Sequence, residues 1–231
     1  MNFEQKLGHL YEDALEILIR ASDRYELVAK NLQVSDASGR TIGEIDFLVG
    51  DSRSGIVWHL ELAVKFYLAF LDGKGTERYP GPDPRDNWIN KLKHLQERQL
   101  RLSEQPETRE LLEGRFGIRN VMTAQRVYGI LFDQIGSSRE SRPPAVCRSC
   151  RRAKWLYLKQ WESFYPSLEA VRIVPKCLWP VEMSDELMGS LVVVPVEELK
   201  RQARERCILF CDQASGDVAF LVPDDWPQLS D

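Results

Sequence analysis

The chain has 231 residues, 43% of them hydrophobic, with six Trp, seven Tyr and nine Phe and a formal net charge of −4. This suffices for one large packed domain or two small ones, and it excludes a molecule that attracts polyanions through overall charge; a nucleic-acid site would be a local basic patch. No apolar run reaches the roughly 20 residues of a membrane span, residues 1–20 lack the apolar block of a signal, and five Cys suit a reducing cytoplasm better than a disulfide framework.

Leu7, Leu10, Tyr11, Leu15, Leu18 and Ile19 recur at helical spacing, so an amphipathic helix is expected first. Residues 32–34 read as a short strand, 36–39 as a turn and 41–49 as a second strand. "DSRSG" is a further turn, and 56–67 is the longest strand candidate, so a three-strand meander is expected. Residues 71–86, rich in Gly and Pro, form a loop. A second helix, roughly 85–104, places Trp88, Leu92, Leu95 and Gln99 on one side and a positive stripe of Lys91, His94, Arg98 and Arg101 on another. Strands are expected in "RVYGILFDQ", "VRIVP" and "LVVVP", and a short helix in "VEELKRQARER". "CILFCDQASGDVAFLVPDDWP" reads as a hairpin turning near Ser215 and Gly216. Residues 136–145, polar and Pro-containing, are the nearest thing to a linker; they set off a core at 1–135 from a C-terminal extension at 146–231, packed on that core or merged with it.

Charges inside the apolar strands carry the functional signal. Period two places Glu61, Ala63 and Lys65 on one face of their strand and Leu60, Leu62, Val64 and Phe66 on the other, which is free to pack on the first helix. An antiparallel hairpin across "DSRSG" sets Asp46 opposite or diagonal to the charged face. Two carboxylates near one ammonium form a hard-oxygen site for Mg²⁺ (or Mn²⁺), able to activate water toward a phosphodiester. Blander readings stand beside this one: a solvent-facing Glu61–Lys65 pair, an edge charge at Asp46, solvated helix acids at Glu12, Asp13 and Glu16, and a polar strand end at His59.

At these residues the sequence resembles the PD-(D/E)XK nuclease superfamily, whose core runs helix, three-strand meander, helix, strand. "GHLYE" places Gly8 and Glu12 in the spacing of the superfamily's first-helix glutamate, "GEIDFL" places Asp46 at its strand aspartate, and "ELAVKF" places Lys65 at its lysine. Gln99, Lys91 or Gln96 fits the polar position of its second helix. More narrowly, "NLQV", "GEIDFLV", "HLELAVKFYL", "GPDPRDNW", "ERQL" and "FLVPDDWP" resemble a bacterial domain-of-unknown-function family, number 1853, grouped with these nucleases. The resemblance implies an α/β, restriction-endonuclease-like mixed central sheet flanked by helices, with a C-terminal α+β extension. It implies Asp46 and Glu12 as metal ligands, beside Glu61 from the strand pattern, and Lys65 as the group that polarises water or stabilises the transition state. One departure is visible: Ala63 stands where the superfamily has its second acid, so Glu61 lies four residues from Lys65 instead of two. A bulge between them, or Glu12 reaching in from the helix, would compensate.

Two further features remain. "CRSC", Cys147 to Cys150, has metal-ligand spacing, and with Cys207 and Cys211 it could hold zinc or a cluster, although the second pair also suits a core. Residues 139–161 carry Arg139, Arg142, Arg148, Arg151, Arg152, Lys154 and Lys159 interleaved with Trp155, Tyr157 and Trp161, which reads as a nucleic-acid surface or as core aromatics ringed by arginines. The sequence contains neither GxSxG nor GxxxxGK[ST]. The expectation is a Mg²⁺-dependent phosphodiesterase acting on DNA, contacting it through Lys91, Arg98, Gln99, Arg151 and Arg152. The alternative is a nuclease-fold protein that binds nucleic acid or a partner with little or no cleavage.

Overall fold

The computed structural model describes residues 6–212 and 215–227. In chain order, α1 (Leu7–Arg20) leads into β1 (Tyr25–Ser35), β2 (Thr41–Asp51), β3 (Val57–Leu71) and the short β4 (Glu77–Arg78). α2 (Trp88–His94) passes directly into a π turn, Leu95–Gln99, then a 3₁₀ turn, Leu102–Glu104, before α3 (Pro106–Phe116). β5 (Met122–Gln134), β6 (Arg151–Tyr157), α4 (Trp161–Phe164) and β7 (Ala170–Ile173) follow. α5 (Asp185–Ser190), β8 (Val193–Pro195), α6 (Val196–Ala203), β9 (Ile208–Cys211) and β10 (Val218–Val222) complete the order. The fold is mixed α/β, with a mixed sheet flanked by helices. No described helix is long and apolar enough to cross a membrane.

The chain divides into two compact units, Met1–Val64 with Lys91–Tyr128, and Lys65–Asn90 with Gly129–Asp231. The boundaries fall inside β3, α2 and β5. Residues 136–145 therefore lie within the second unit, where the buried Ser141 donates its N–H (3.0 Å) and its hydroxyl (2.6 Å) to Asp133 Oδ1.

In the first unit β1, β2 and β3 form the expected antiparallel meander, with Leu32 opposite Ile45 and Phe47 opposite Leu60. Ile19, Phe47 and Val49 form a core packed by Leu15, Leu60 and Leu62, so the apolar face of β3 lies on α1 as its alternation requires. Leu32, Val34, Ile45 and Leu48 pack with Leu102 and Leu112 in a second core. Gly43 permits this approach, since a Cβ there would meet Leu102 Cδ2 at 2.7 Å. β1 runs well beyond the short strand expected, because a register shift between Leu27 and Ala29 and a positive φ of 50° at Asn31 break the period-two pattern. The single helix expected over 85–104 is broken by the π turn, and α3 was not anticipated although Pro106 starts it and Gly117, at φ 70°, ends it. Its apolar residues, Leu111 and Leu112 among charges, make too weak a stripe to register as helical periodicity.

In the second unit β5, β6 and β10 are parallel neighbours, and β10–β9, β9–β7 and β7–β8 pair antiparallel. Leu156, Val171, Phe210 and Leu221 from the strands pack with Trp161 of α4 and Val196, Leu199 and Ala203 of α6. β6 carries the basic and aromatic run that hid it as a strand. Trp155 is fully buried, donating Nε1–H to Ala69 O at 2.9 Å, and Trp161 is buried in the core. Of the two readings of that run, the structure shows core aromatics. Gly129, at φ 148°, lies so close to β3 that a Cβ would stand 1.6 Å from Lys65 O.

Candidate active site

The β2–β3 register pairs Leu48 with His59 and Phe47 with Leu60, so one further step sets Asp46 against Glu61. The ladder stops at that step, and side chains take over from backbone groups. Asp46 Oδ2 accepts the Leu62 N–H at 2.8 Å, and the Asp46 N–H points to Glu61 Oε1 at 3.5 Å. Since Leu60 and Leu62 face α1, alternation turns His59 and Glu61 to the opposite face.

Glu61 is buried, as is His59. A carboxylate removed from water needs strong partners, and Glu61 has one on each oxygen. His59 Nε2 lies 2.9 Å from Oε1, and Gln99 donates Nε2–H to Oε2 at 2.6 Å. The Gln99 carbonyl oxygen accepts from Lys91 Nζ at 2.9 Å and lies 3.1 Å from His94 Nδ1, so two members of the expected basic stripe orient the amide that holds Glu61. Gln99 is the last residue of the π turn, whose extra residue per turn shifts the helical phase. The other ring nitrogen of His59, Nδ1, is buried without a hydrogen-bond partner among the described residues.

Asp46 is half-buried, and burial followed by the charge of Glu61 raises its pKa to about 6, against the lowering effect of the Leu62 N–H. Glu12 and Glu44 contribute to the rise. Among the acids of α1, Asp13 and Glu16 pair with Lys30 Nζ at 2.8 and 3.1 Å, whereas Glu12 Oε2 faces Asn31 Nδ2 at 3.4 Å and His9 Nδ1 at 3.5 Å. Glu12 is therefore the α1 acid whose charge reaches Asp46. Asn31 was missed in the sequence; its positive φ inside a strand is a position that Asn tolerates better than most residues.

Lys65 falls in the second unit, where its Nζ contacts Asp86 Oδ2 at 2.6 Å and the Tyr67 hydroxyl donates to Asp86 Oδ1 at 3.0 Å. The Gly81 N–H bonds to Asp86 O at 2.7 Å and the Asp86 N–H to Asp83 O at 3.0 Å, so the "GPDPRD" loop presents this carboxylate as a folded turn. Neither Asp86 nor Tyr67 was a sequence candidate; Pro and Gly marked the segment as a loop, and a loop acid has no periodicity to single it out.

Arg98 and Arg101 are exposed, as either a solvated helix face or a phosphate track would have them. Arg151 and Arg152 are committed internally. Arg151 Nη1 donates to Pro180 O, and Arg152 holds Asp133 Oδ2 through Nε at 3.0 Å and Ser141 O through Nη2 at 3.1 Å. Cys207 Sγ lies 3.4 Å from Pro82 O and Cys211 Sγ 3.6 Å from Met188 Sδ, with burial pushing the Cys207 thiol up to about 12. Among the described residues no three His, Cys, Asp or Glu side chains converge as a ready metal ligand set, neither at Glu12, Asp46 and Glu61 nor at the cysteines. What the site does offer is an aspartate beside a second carboxylate, its pKa raised to about 6. Such a group takes up either a proton or a cation.

A family model described as Domain of unknown function (DUF1853) matches residues 2–211. No curated protein and no solved structure matches.

Proposed function

We propose that this chain, which belongs to the DUF1853 family, is a Mg²⁺-dependent phosphodiesterase acting on DNA, built on the restriction-endonuclease-like core of the PD-(D/E)XK superfamily. The observation that carries the reading is Asp46 placed against Glu61 on adjacent strands, its pKa raised by burial and by that neighbour. The order α1, β1–β2–β3, α2, β5 agrees with the superfamily core.

The residues fit a hard divalent ion. Mg²⁺ is commonly held by one or two carboxylates and completed by waters and substrate phosphate, so the want of a three-residue cage does not count against it. Asp46 and Glu61 would hold the ion, with Glu12 assisting. When bound, it would polarise a water and the scissile phosphate. Gln99 and His59 keep Glu61 in place, and the low polarity around them strengthens its field. By the superfamily resemblance Lys65 would supply the positive charge for the water or the transition state; within its own unit its Nζ is held by Asp86. Arg98, exposed on the π turn, contacts the DNA backbone.

A second reading draws on two observations: Lys65 is already ion-paired with Asp86, and both Glu61 oxygens are already bonded. These suit a nuclease fold that binds nucleic acid without cutting it. Purified protein incubated with supercoiled, linear and single-stranded DNA in Mg²⁺ or Mn²⁺ separates the two. Cleavage by the wild type that is lost in both Asp46→Asn and Lys65→Ala supports the enzyme, while metal-independent binding without cleavage establishes the second reading.

A further inference from the structure

Cys147 and Cys150 occupy a tight turn just before β6. The Cys150 N–H donates to Cys147 O at 3.1 Å, closing the four-residue "CRSC" as a β-turn. Such a turn holds its end Cα atoms within about 7 Å, overlapping the separation that a disulfide spans. Cys147 is exposed and Cys150 half-buried, and both are free thiols. The Cys147 Sγ lies 3.0 Å from Ser149 Oγ, a hydrogen bond that, with the Ser149 and Arg148 backbone N–H groups, lowers the thiol's pKa. Behind the turn, Arg152 is held by Asp133, which raises the guanidinium's pKa despite its burial.

An exposed thiol of lowered pKa with a second thiol three residues on is the arrangement of a redox-active pair. Zinc needs two further ligands, and among the described residues no group of three His, Cys, Asp or Glu forms a metal set. Of the other cysteines, Cys211 is buried, Cys207 is desolvated with its Sγ on Pro82 O, and Cys177 is half-buried with no second cysteine at this spacing.

We propose that Cys147 and Cys150 form a dithiol that exchanges with small disulfides of the glutathione class, Cys147 attacking first and Cys150 resolving. The Cys147 thiolate attacks one sulfur of the disulfide; a Cys147–sulfur bond forms, the small disulfide's S–S bond breaks, and one thiolate leaves. The Cys150 thiolate then attacks Cys147 Sγ, closing the Cys147–Cys150 bond and releasing the second thiolate. Two electrons pass from the cysteine pair to the small disulfide, and the two cysteine protons end on the two released thiols. The turn sits directly before Arg151 and Arg152 at the start of β6.

The test is intact-mass analysis with peptide mapping of the full chain after incubation with glutathione disulfide. Wild type is expected to lose two hydrogens with a Cys147–Cys150 cross-linked peptide and no lasting adduct, Cys150→Ser to stop at a glutathione adduct on Cys147, and Cys147→Ser to lose the cross-link. A wild-type chain that keeps both thiols, or that stops at an adduct as Cys150→Ser does, overturns the proposal. So does stoichiometric Zn²⁺ uptake by the reduced chain that Cys147→Ser abolishes.

Discussion

Gln99 Nε2 lies 2.6 Å from Glu61 Oε2, which ties the end of a π turn to the middle of a strand 38 residues earlier in the chain. Removing that amide leaves a buried carboxylate oxygen without a partner. Gln99→Ala is expected to destabilise the fold by about 1–3 kcal/mol, measured as a lower urea midpoint at unchanged slope. Gln99→Glu should be worse at pH 8 than at pH 5, since it sets a second carboxylate on Glu61. Equal melting of the two variants at both pH values would show that the amide is not what holds Glu61.

Asp46 has a native pKa of about 6, above that of an aspartate in the unfolded chain. The native state therefore holds a proton more tightly, and Asp46 contributes stability that is fully present below about pH 4 and lost as pH rises through about 6. The loss is on the order of 1–2 kcal/mol, reduced from the full shift because the carboxyl is partly open to water. Asp46→Asn should flatten this part of the stability profile and be the more stable protein at pH 7.5.

Divalent cations should reverse that loss. At pH 8, Mg²⁺ is expected to raise the melting temperature of the wild type in a concentration-dependent way, with a smaller rise at pH 5 where Asp46 holds its proton. Asp46→Asn should show little response at either pH. A response that survives the substitution would place the ion elsewhere.

Gly129→Ala would drive a Cβ to 1.6 Å from Lys65 O at a φ of 148°. Loss of about 3 kcal/mol or more, or failure to fold, is expected. Chemical denaturation beside Gly114→Ala, where a Cβ meets nothing within 4 Å, is the comparison.

Arg98 and Arg101 are exposed and their side chains make no hydrogen bond or ion pair among the described residues, whereas Arg152 holds Asp133. Arg98→Ala and Arg101→Ala should leave stability within about 0.5 kcal/mol of wild type. Each should weaken DNA binding and reduce the salt dependence by about one unit of slope. Arg152→Ala should instead destabilise the protein, because it leaves the buried Asp133 without its guanidinium partner on Oδ2, with only Ser141 on Oδ1.

Local pattern was enough for α1, the meander and the turns between its strands, and for the prediction that Leu60 and Leu62 lie on α1 while Glu61 faces away. Those features depend on periodicity and turn chemistry within about ten residues, where the chain's own stereochemistry dominates. β6 escaped because Arg151, Arg152 and Lys154 disguise a strand that two parallel neighbours bury, and the arginines are tolerated only because distant carbonyls and Asp133 receive them.

By itself the sequence determined which residues bear charge inside apolar strands and which strand face carries them. Tertiary structure alone decided their partners: Gln99 and His59 for Glu61, Asp86 for Lys65, Asn31 for Glu12, Asp133 for Arg152. Most of these pairings join groups far apart in the chain, and they depend on a π turn, a strand bulge and a folded loop whose positions follow from packing rather than from any local repeat.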